Sequence, residues 1–332
     1  MARLNLITDV PGLKVGQAMD AAARTGVTVV LPDERAVCAV DVRGGGPGTR
    51  ETDALTPETL VDAVDAICLA GGSVYGLAAA DGVCAVLGAQ GRGFGFGRPG
   101  VPVSPIVPAA ILYDLANGGD KAWGEEPPYR RLGVEAVKAA ATDLVLGTAG
   151  AGAGAMAGAL KGGIGSASAQ LAEGYVVGAL AAVNSVGSVV VPGSRAFWAA
   201  PFELDGEFGD VPPGPARVAP DDWGLAKGRE AAARENTTLC VVATDAALTP
   251  AQARRIAIMA QDGLARAIRP AHAPTDGDVV FALSTGRRAL EGPVPALLAR
   301  LGALAADTLS RAIARGVYAA TPWAAERCWR DL

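Results

Sequence analysis

Histidine is almost missing from this chain of 332 residues: there is one, His272. A zinc centre built from His and Cys is therefore short of ligands, and a serine-histidine-aspartate triad would have to use that single imidazole. His272 stands four residues before Asp276 in AHAPTDGDVVF. That local spacing suits a hydrogen-bonding loop histidine better than a base reaching a distant serine. Cysteine is scarce too. Cys38, Cys68, Cys84, Cys240 and Cys328 form no CxxC pair and mostly sit inside apolar runs, which reads as reduced core thiols rather than a disulfide framework. Long runs of one charge sign are absent. With 19% charged residues and a net charge of -5, there is no field to attract nucleic acid or an anionic membrane. The most apolar stretches, LAAADGVCAVLGA and VVGALAAVNSVGSVVV, are interrupted by Gly, Asn and Asp and fall short of a membrane span. The opening MARLNLITDVPGLKVG has no charged segment followed by a long apolar one. The expectation is a globular, soluble, cytoplasmic protein.

What is present is apolar periodicity in two forms. Half of the residues are hydrophobic and 44 are Gly, enough for a large core with closely packed elements. Strand-like runs are GVTVVLP, AVCAVDV, AICLAGG, YVVGALAAV, SVVV, TLCVVATD and VVFALST. Helical periods lie between them in TPETLVDAVDA, VYGLAAADGVCAVLGA, YRRLGVEAVKAAAT, TPAQARRIAIMAQDGLARAI and residues 293–317. Thr56-Pro57-Glu58 and Thr249-Pro250 place a hydroxyl before a proline at a helix start. Such alternation predicts an α/β or α+β layered fold. Residues 201–236 break it with Pro, Gly and charge, and read as a long surface loop of the kind that is functional or disordered.

Three motifs bear on chemistry. GTAGAGAGAMAG at 147–158 contains Gly150-x-Gly152-x-x-Ala155, the loosest form of a dinucleotide fingerprint. That fingerprint needs an acidic residue near the end of the next strand, whereas Glu173 precedes YVVGALAAV. The glycines then mark backbone passing close to another segment, and no organic cofactor or metal is expected. Asp276 and Asp278 flank Gly277 ahead of a strand. Positions i and i+2 of an extended segment share a side, so the pair reads either as one acidic site or as a solvated Asp-Gly turn. The third motif is Asn236-Thr237-Thr238, at the start of the run LCVVATD. It reads as an ordinary turn or as a cleavage junction, because a threonine hydroxyl becomes a good nucleophile when its own α-amine is freed to act as its base.

NTTLCVVATDA, PTDGDVVFALST, AICLAGGSVYGLAAADGV, DVRGGGPGTRETDAL and PAAILYDLANGGD together resemble the L-aminopeptidase/D-esterase family of self-processing amidohydrolases. That family includes β-peptidyl aminopeptidases and 6-aminohexanoate-oligomer hydrolases. The resemblance runs from about Ile7 to about Ala319. The Asn-Thr-Thr junction and the Asp-Gly-Asp segment look closest to the oligomer-hydrolase branch; the aminopeptidase branch more often carries Ser. The resemblance implies an α/β, four-layer α-β-β-α sandwich of the N-terminal-nucleophile hydrolase kind. It also implies cleavage between Asn236 and Thr237 into chains 1–236 and 237–332, which form one structural domain and a heterodimer, with such heterodimers assembled into a tetramer. The implied roles are Thr237 as nucleophile, Asp276 and Asp278 as the acidic pair orienting it, and Lys161 close by with the aspartates as its partners. Asn184 is implied as an oxyanion donor and Tyr113 as a substrate or oxyanion contact. The expected activity is hydrolysis of linear amides such as 6-aminohexanoate oligomers through an acyl-enzyme. The alternatives are an aminopeptidase acting on α- or β-peptides and a non-catalytic scaffold.

Overall fold

The computed structural model describes residues 4–212, 214–215, 217–227 and 236–332. Strands β1 (Leu13–Asp20), β2 (Thr25–Pro32), β3 (Ala36–Val42), β4 (Thr49–Arg50), β5 (Ala63–Val64) and β6 (Ile67–Ala70) precede helix α1 (Ala78–Ala89). After β7 (Ala109–Ile111) and α2 (Tyr129–Lys138) come β8 (Met156–Ala157), β9 (Leu160–Lys161), β10 (Gly163–Gln170) and β11 (Val176–Asn184). The last third holds β12 (Thr237–Ala246), α3 (Pro250–Ala267), β13 (Val279–Arg288) and α4 (Val294–Tyr318).

Two sheets face each other, ordered β1-β2-β6-β7-β4 and β10-β11-β12-β13-β3-β5. Val27, Val29, Cys68 and Ala70 of the first pack outward on Val83, Leu87, Leu132 and Val137 of α1 and α2. Its other face, with Val30 and Leu69, meets Leu180, Leu239, Val241 and Phe281 of the second sheet. Cys240 and Val242 face the opposite way, onto Ile256 and Leu264 of α3 and Leu309 and Ile313 of α4. The layers are therefore helix, sheet, sheet, helix, the expected four-layer α/β sandwich. Strand β12 is covered on both faces and buried at every residue, which is why its middle, from Leu239 to Ala243, is a continuous apolar run instead of alternating.

Thr249 caps α3 as read, accepting from Gln252 N at 3.3 Å while Gln252 Oε1 accepts from Thr249 N at 2.8 Å. The matching signal at Thr56 does not start a helix. Thr59 Oγ1 donates to the carbonyls of Ala54 and Thr56 at 2.7 and 2.9 Å, closing a turn, and Val64 then enters the inter-sheet core on edge strand β5. Residues 188–191 make only isolated bridges. There Ser188 Oγ donates to Val190 O and accepts from Val190 N, so a side chain takes the backbone groups a ladder would use.

Strand β10, GIGSASAQ, was not anticipated. A Cβ on Gly165 would collide with the Ala312 carbonyl of α4, so residues that weaken a strand by propensity are those that let the helix lie on it. Of the expected surface loop at 201–236, residues 213, 216 and 228–235 lie outside the described residues, and the described part is not simply surface. Phe208 is buried, and Glu207 pairs with Arg311 and Arg315 of α4.

Candidate active site

The ends of β11 and β12 and the turn before β13 converge. In the antiparallel register of β11 and β12, Asn184 stands opposite Thr237. An isolated parallel bridge then joins Asn236 to Asp276, just ahead of the parallel pairing of β12 with β13. Sheet register thus brings together Thr237, Asn184 and the Asp-Gly-Asp turn from separate stretches of sequence. Asn236 and Thr237 are buried, at 0% and 3% exposure.

At the junction the Thr237 hydroxyl donates to the carbonyl oxygen of Asn236. The same oxygen accepts from Gly277 N at 3.0 Å. Gly277 carries a second constraint, because a Cβ there would lie 2.5 Å from Thr237 Oγ1. Asp278 Oδ1 accepts from Thr238 N at 2.8 Å, and its Oδ2 lies 2.9 Å from His272 Nδ1 and accepts from His272 N at 3.0 Å. The single histidine therefore has the hydrogen-bonding place that its spacing suggested. Asp276 accepts from Val186 N at 3.2 Å and from Ala273 N at 3.1 Å. Burial, and then the charge of Asp278, push the Asp276 carboxyl up to about 7. Both carboxylates are 1% exposed, so the solvated-turn reading does not hold. The Arg-Gly-Gly-Gly segment braces this turn: Arg43 N and Gly44 N donate to Asp278 O, and Gly46 N to Asp276 O.

Lys161 is buried, but the aspartates are not its partners. Its Nζ donates to the carbonyls of Ala155 (2.9 Å), Gly162 (3.1 Å) and Gly152 (3.5 Å). Glu326 is the foremost acid acting on it, while burial draws its ammonium down to about 8. The side chain fastens the 152–162 hairpin, and Met156 N of that hairpin donates to Asn184 Oδ1 at 2.9 Å. Asn184 Nδ2 donates to the Tyr113 carbonyl at 3.1 Å. Lys161 thus reaches Thr237 through Asn184, and its three protons go to backbone oxygens.

A cavity of about 140 Å³ lies beside these groups, lined by Tyr113, Asp114, Asn117, Met156, Asn184 and Lys227 among others. Asp114 and Lys227 were not singled out from the sequence. Asp114 is buried and accepts from Gly72 N at 2.7 Å and Thr25 Oγ1 at 2.6 Å. Its place directly after Tyr113 in ILYDL was the one signal available. Among the described residues no cluster of three or more His, Cys, Asp or Glu is arranged to hold a metal ion, and no helix is long and apolar enough to cross a membrane.

The profile described as peptidase family S58 matches residues 5–328. The chain is 48% identical to an "uncharacterized aminopeptidase" of Mycobacterium tuberculosis (strain ATCC 25618 / H37Rv), covering 99% of this chain and 98% of that protein. It is 30% identical to the 6-aminohexanoate-oligomer endohydrolase of Kocuria sp. (strain KY2), over 85% of this chain and 76% of that one. Among solved structures, a Burkholderia sp. beta-aminopeptidase aligns with TM-score 0.68 at 25% identity, covering 96% of this chain and 88% of that one. The L-aminopeptidase D-Ala-esterase/amidase of Ochrobactrum anthropi, described as a variant of the Ntn hydrolase fold, aligns with TM-score 0.66 at 20% identity, with the same coverages.

Proposed function

Because the chain belongs to peptidase family S58, and so is a hydrolase of peptide or amide bonds, we propose that it processes itself before Thr237 and then works through that residue. The observation that carries this reading is the Thr237 hydroxyl held on the carbonyl of its own preceding peptide, beside Gly277 N. Thr237 Oγ attacks the Asn236 carbonyl carbon, the C–N bond breaks, and the hydroxyl proton ends on the Thr237 nitrogen. Water hydrolyses the ester, leaving the Asn236 carboxylate and a free α-amine on Thr237. That amine is the base for the next attack; with an ordinary pKa near 8, a useful fraction is neutral.

In hydrolysis, Thr237 Oγ adds to a substrate amide while its amine takes the proton and passes it to the leaving amine. Water then frees the acid from the acyl-enzyme. Asp276 and Asp278 hold the strand start and the ammonium formed there. Asn184 is the side chain opposite Thr237 and serves the oxyanion, Tyr113 lines the cavity, and Lys161 keeps Asn184 in place. The proposal includes chains 1–236 and 237–332 staying together as a heterodimer, because β12 is hydrogen-bonded on both sides to strands of the sheet, and assembly of such pairs into a tetramer.

Two substrate classes fit. Asp114 is the acid lining the cavity, which favours a substrate amine and an aminopeptidase. The oligomer-hydrolase relative and the threonine at the junction favour linear ω-amino acid amides.

Intact mass spectrometry under denaturing conditions tests the central step. The wild type is expected as two fragments, the smaller beginning at Thr237, whereas Thr237→Ala should stay one chain and hydrolyse nothing. A processed, active Thr237→Ala protein would overturn the assignment.

A further inference from the structure

The Asn236 side chain is the acyl-side group next to the bond proposed to break, and it is fully buried. Lys227 Nζ donates to its Oδ1 at 2.5 Å, while its Nδ2 is buried with no hydrogen-bond partner among the described residues. The lysine comes from a fixed backbone. Lys227 N donates to Val186 O at 2.8 Å, and Ala159 N donates to Leu225 O at 2.7 Å. Val186 links the two sides of the junction, since its own N–H donates to Asp276 Oδ1. Lys227 therefore grips the residue before the junction and is tied through one residue, Val186, to the acid beside it.

We propose that Lys227 is a positioning residue for self-cleavage, holding the Asn236 carboxamide so that the scissile carbonyl stays on the Thr237 hydroxyl and Gly277 N. The inference rests on the self-processing reading above. Attack on a carbonyl demands close alignment, and a misplacement of about 1 Å costs on the order of 10²-fold in rate. A charge-assisted hydrogen bond to the buried carboxamide is a direct way to fix it. The Lys227 charge also favours ionised Asp276.

The test follows cleavage of freshly synthesised full-length chain over time by denaturing mass spectrometry, with melting curves for each variant. Lys227→Met should slow cleavage by about 10²-fold without lowering the melting temperature, and Lys227→Arg should restore most of the rate. Asn236→Leu should slow it similarly, and the double variant Lys227→Met/Asn236→Leu should be no slower than either single change. The acid limb of the rate should move to higher pH in Lys227→Met. Wild-type cleavage rates in Lys227→Met, or fully additive losses in the double variant, would overturn the role of Lys227 and leave self-processing standing. An intact wild type would remove both. Should Lys227→Met not fold, Asn236→Leu decides: wild-type cleavage there overturns the proposal.

Discussion

Asp276 keeps a carboxyl in a buried site whose near neighbours are two backbone N–H groups and a second carboxylate, Asp278. Its pKa is raised to about 7, against about 3.9 in an unfolded chain. Between those values the native state binds more protons than the unfolded one, so this group's effect on stability is unfavourable and grows as pH rises from about 4 to about 7. In a Thr237→Ala background, Asp276→Asn should therefore melt above its parent at pH 8. The gap should be of order 2 kcal/mol once the lost acceptor is counted, and it should close towards pH 4. Equal melting at both pH values would contradict the burial argument. The Asp-Gly-Asp spacing showed two acids in one place; it did not show their burial, to which the Arg-Gly-Gly-Gly segment contributes from elsewhere in the chain. Lys161, a lone lysine in the Gly-rich apolar stretch GALKGGIGSAS, was legible as a side chain asking for a partner. That the partners are carbonyls depends on the hairpin that folds back over it.

At the scale of elements, the second sheet and its helices meet through small residues. Gly165 lies under Ala312, and Gly263 of α3 under Ala306 of α4. Gly165→Leu forces a side chain into a backbone carbonyl that belongs to a long helix. The expected loss is about 3 kcal/mol or more, at the upper end for overpacking, read as a lower denaturant midpoint; an unchanged midpoint would mean that α4 shifts freely. Such interfaces explain why β10 was invisible to propensity while β12 and β13 were plain. A strand sandwiched between two apolar layers advertises itself by composition, whereas one crossed closely by a helix must give up side chains. The run at 56–66 failed in the opposite direction: its apolar spacing and Thr-Pro start suit a helix, but Val64 has more to bury on the sheet edge.

At the scale of the molecule, the cavity exists only because distant segments meet. Tyr113 and Asp114 follow β7 of the first sheet, Asn184 ends β11 of the second, and Lys227 arrives from the segment ahead of the junction. Asp114 gives a way to choose between the two substrate classes. If its carboxylate receives a substrate amine, N-acetylation of a short peptide or of a linear 6-aminohexanoate oligomer should lower kcat/KM at least 10-fold, about 1.4 kcal/mol for the lost charge-assisted contact. Equal rates on capped and uncapped substrates would favour attack within oligomers instead.

The sequence by itself determined a layered α/β or α+β fold, the long helices and the central strands, because periodicity carries those, while the four-layer order and the nucleophile candidate beside two acids came from the resemblance of its motifs to a known family. Only the tertiary structure decided which groups meet Asn236 and Thr237. Gly277 and Lys227 act there through register between β11, β12 and β13 and through the fixed path of residues 225–227. Register is a relation between strands far apart in sequence, set by burial on both faces of the sheet, and no single stretch of residues encodes it.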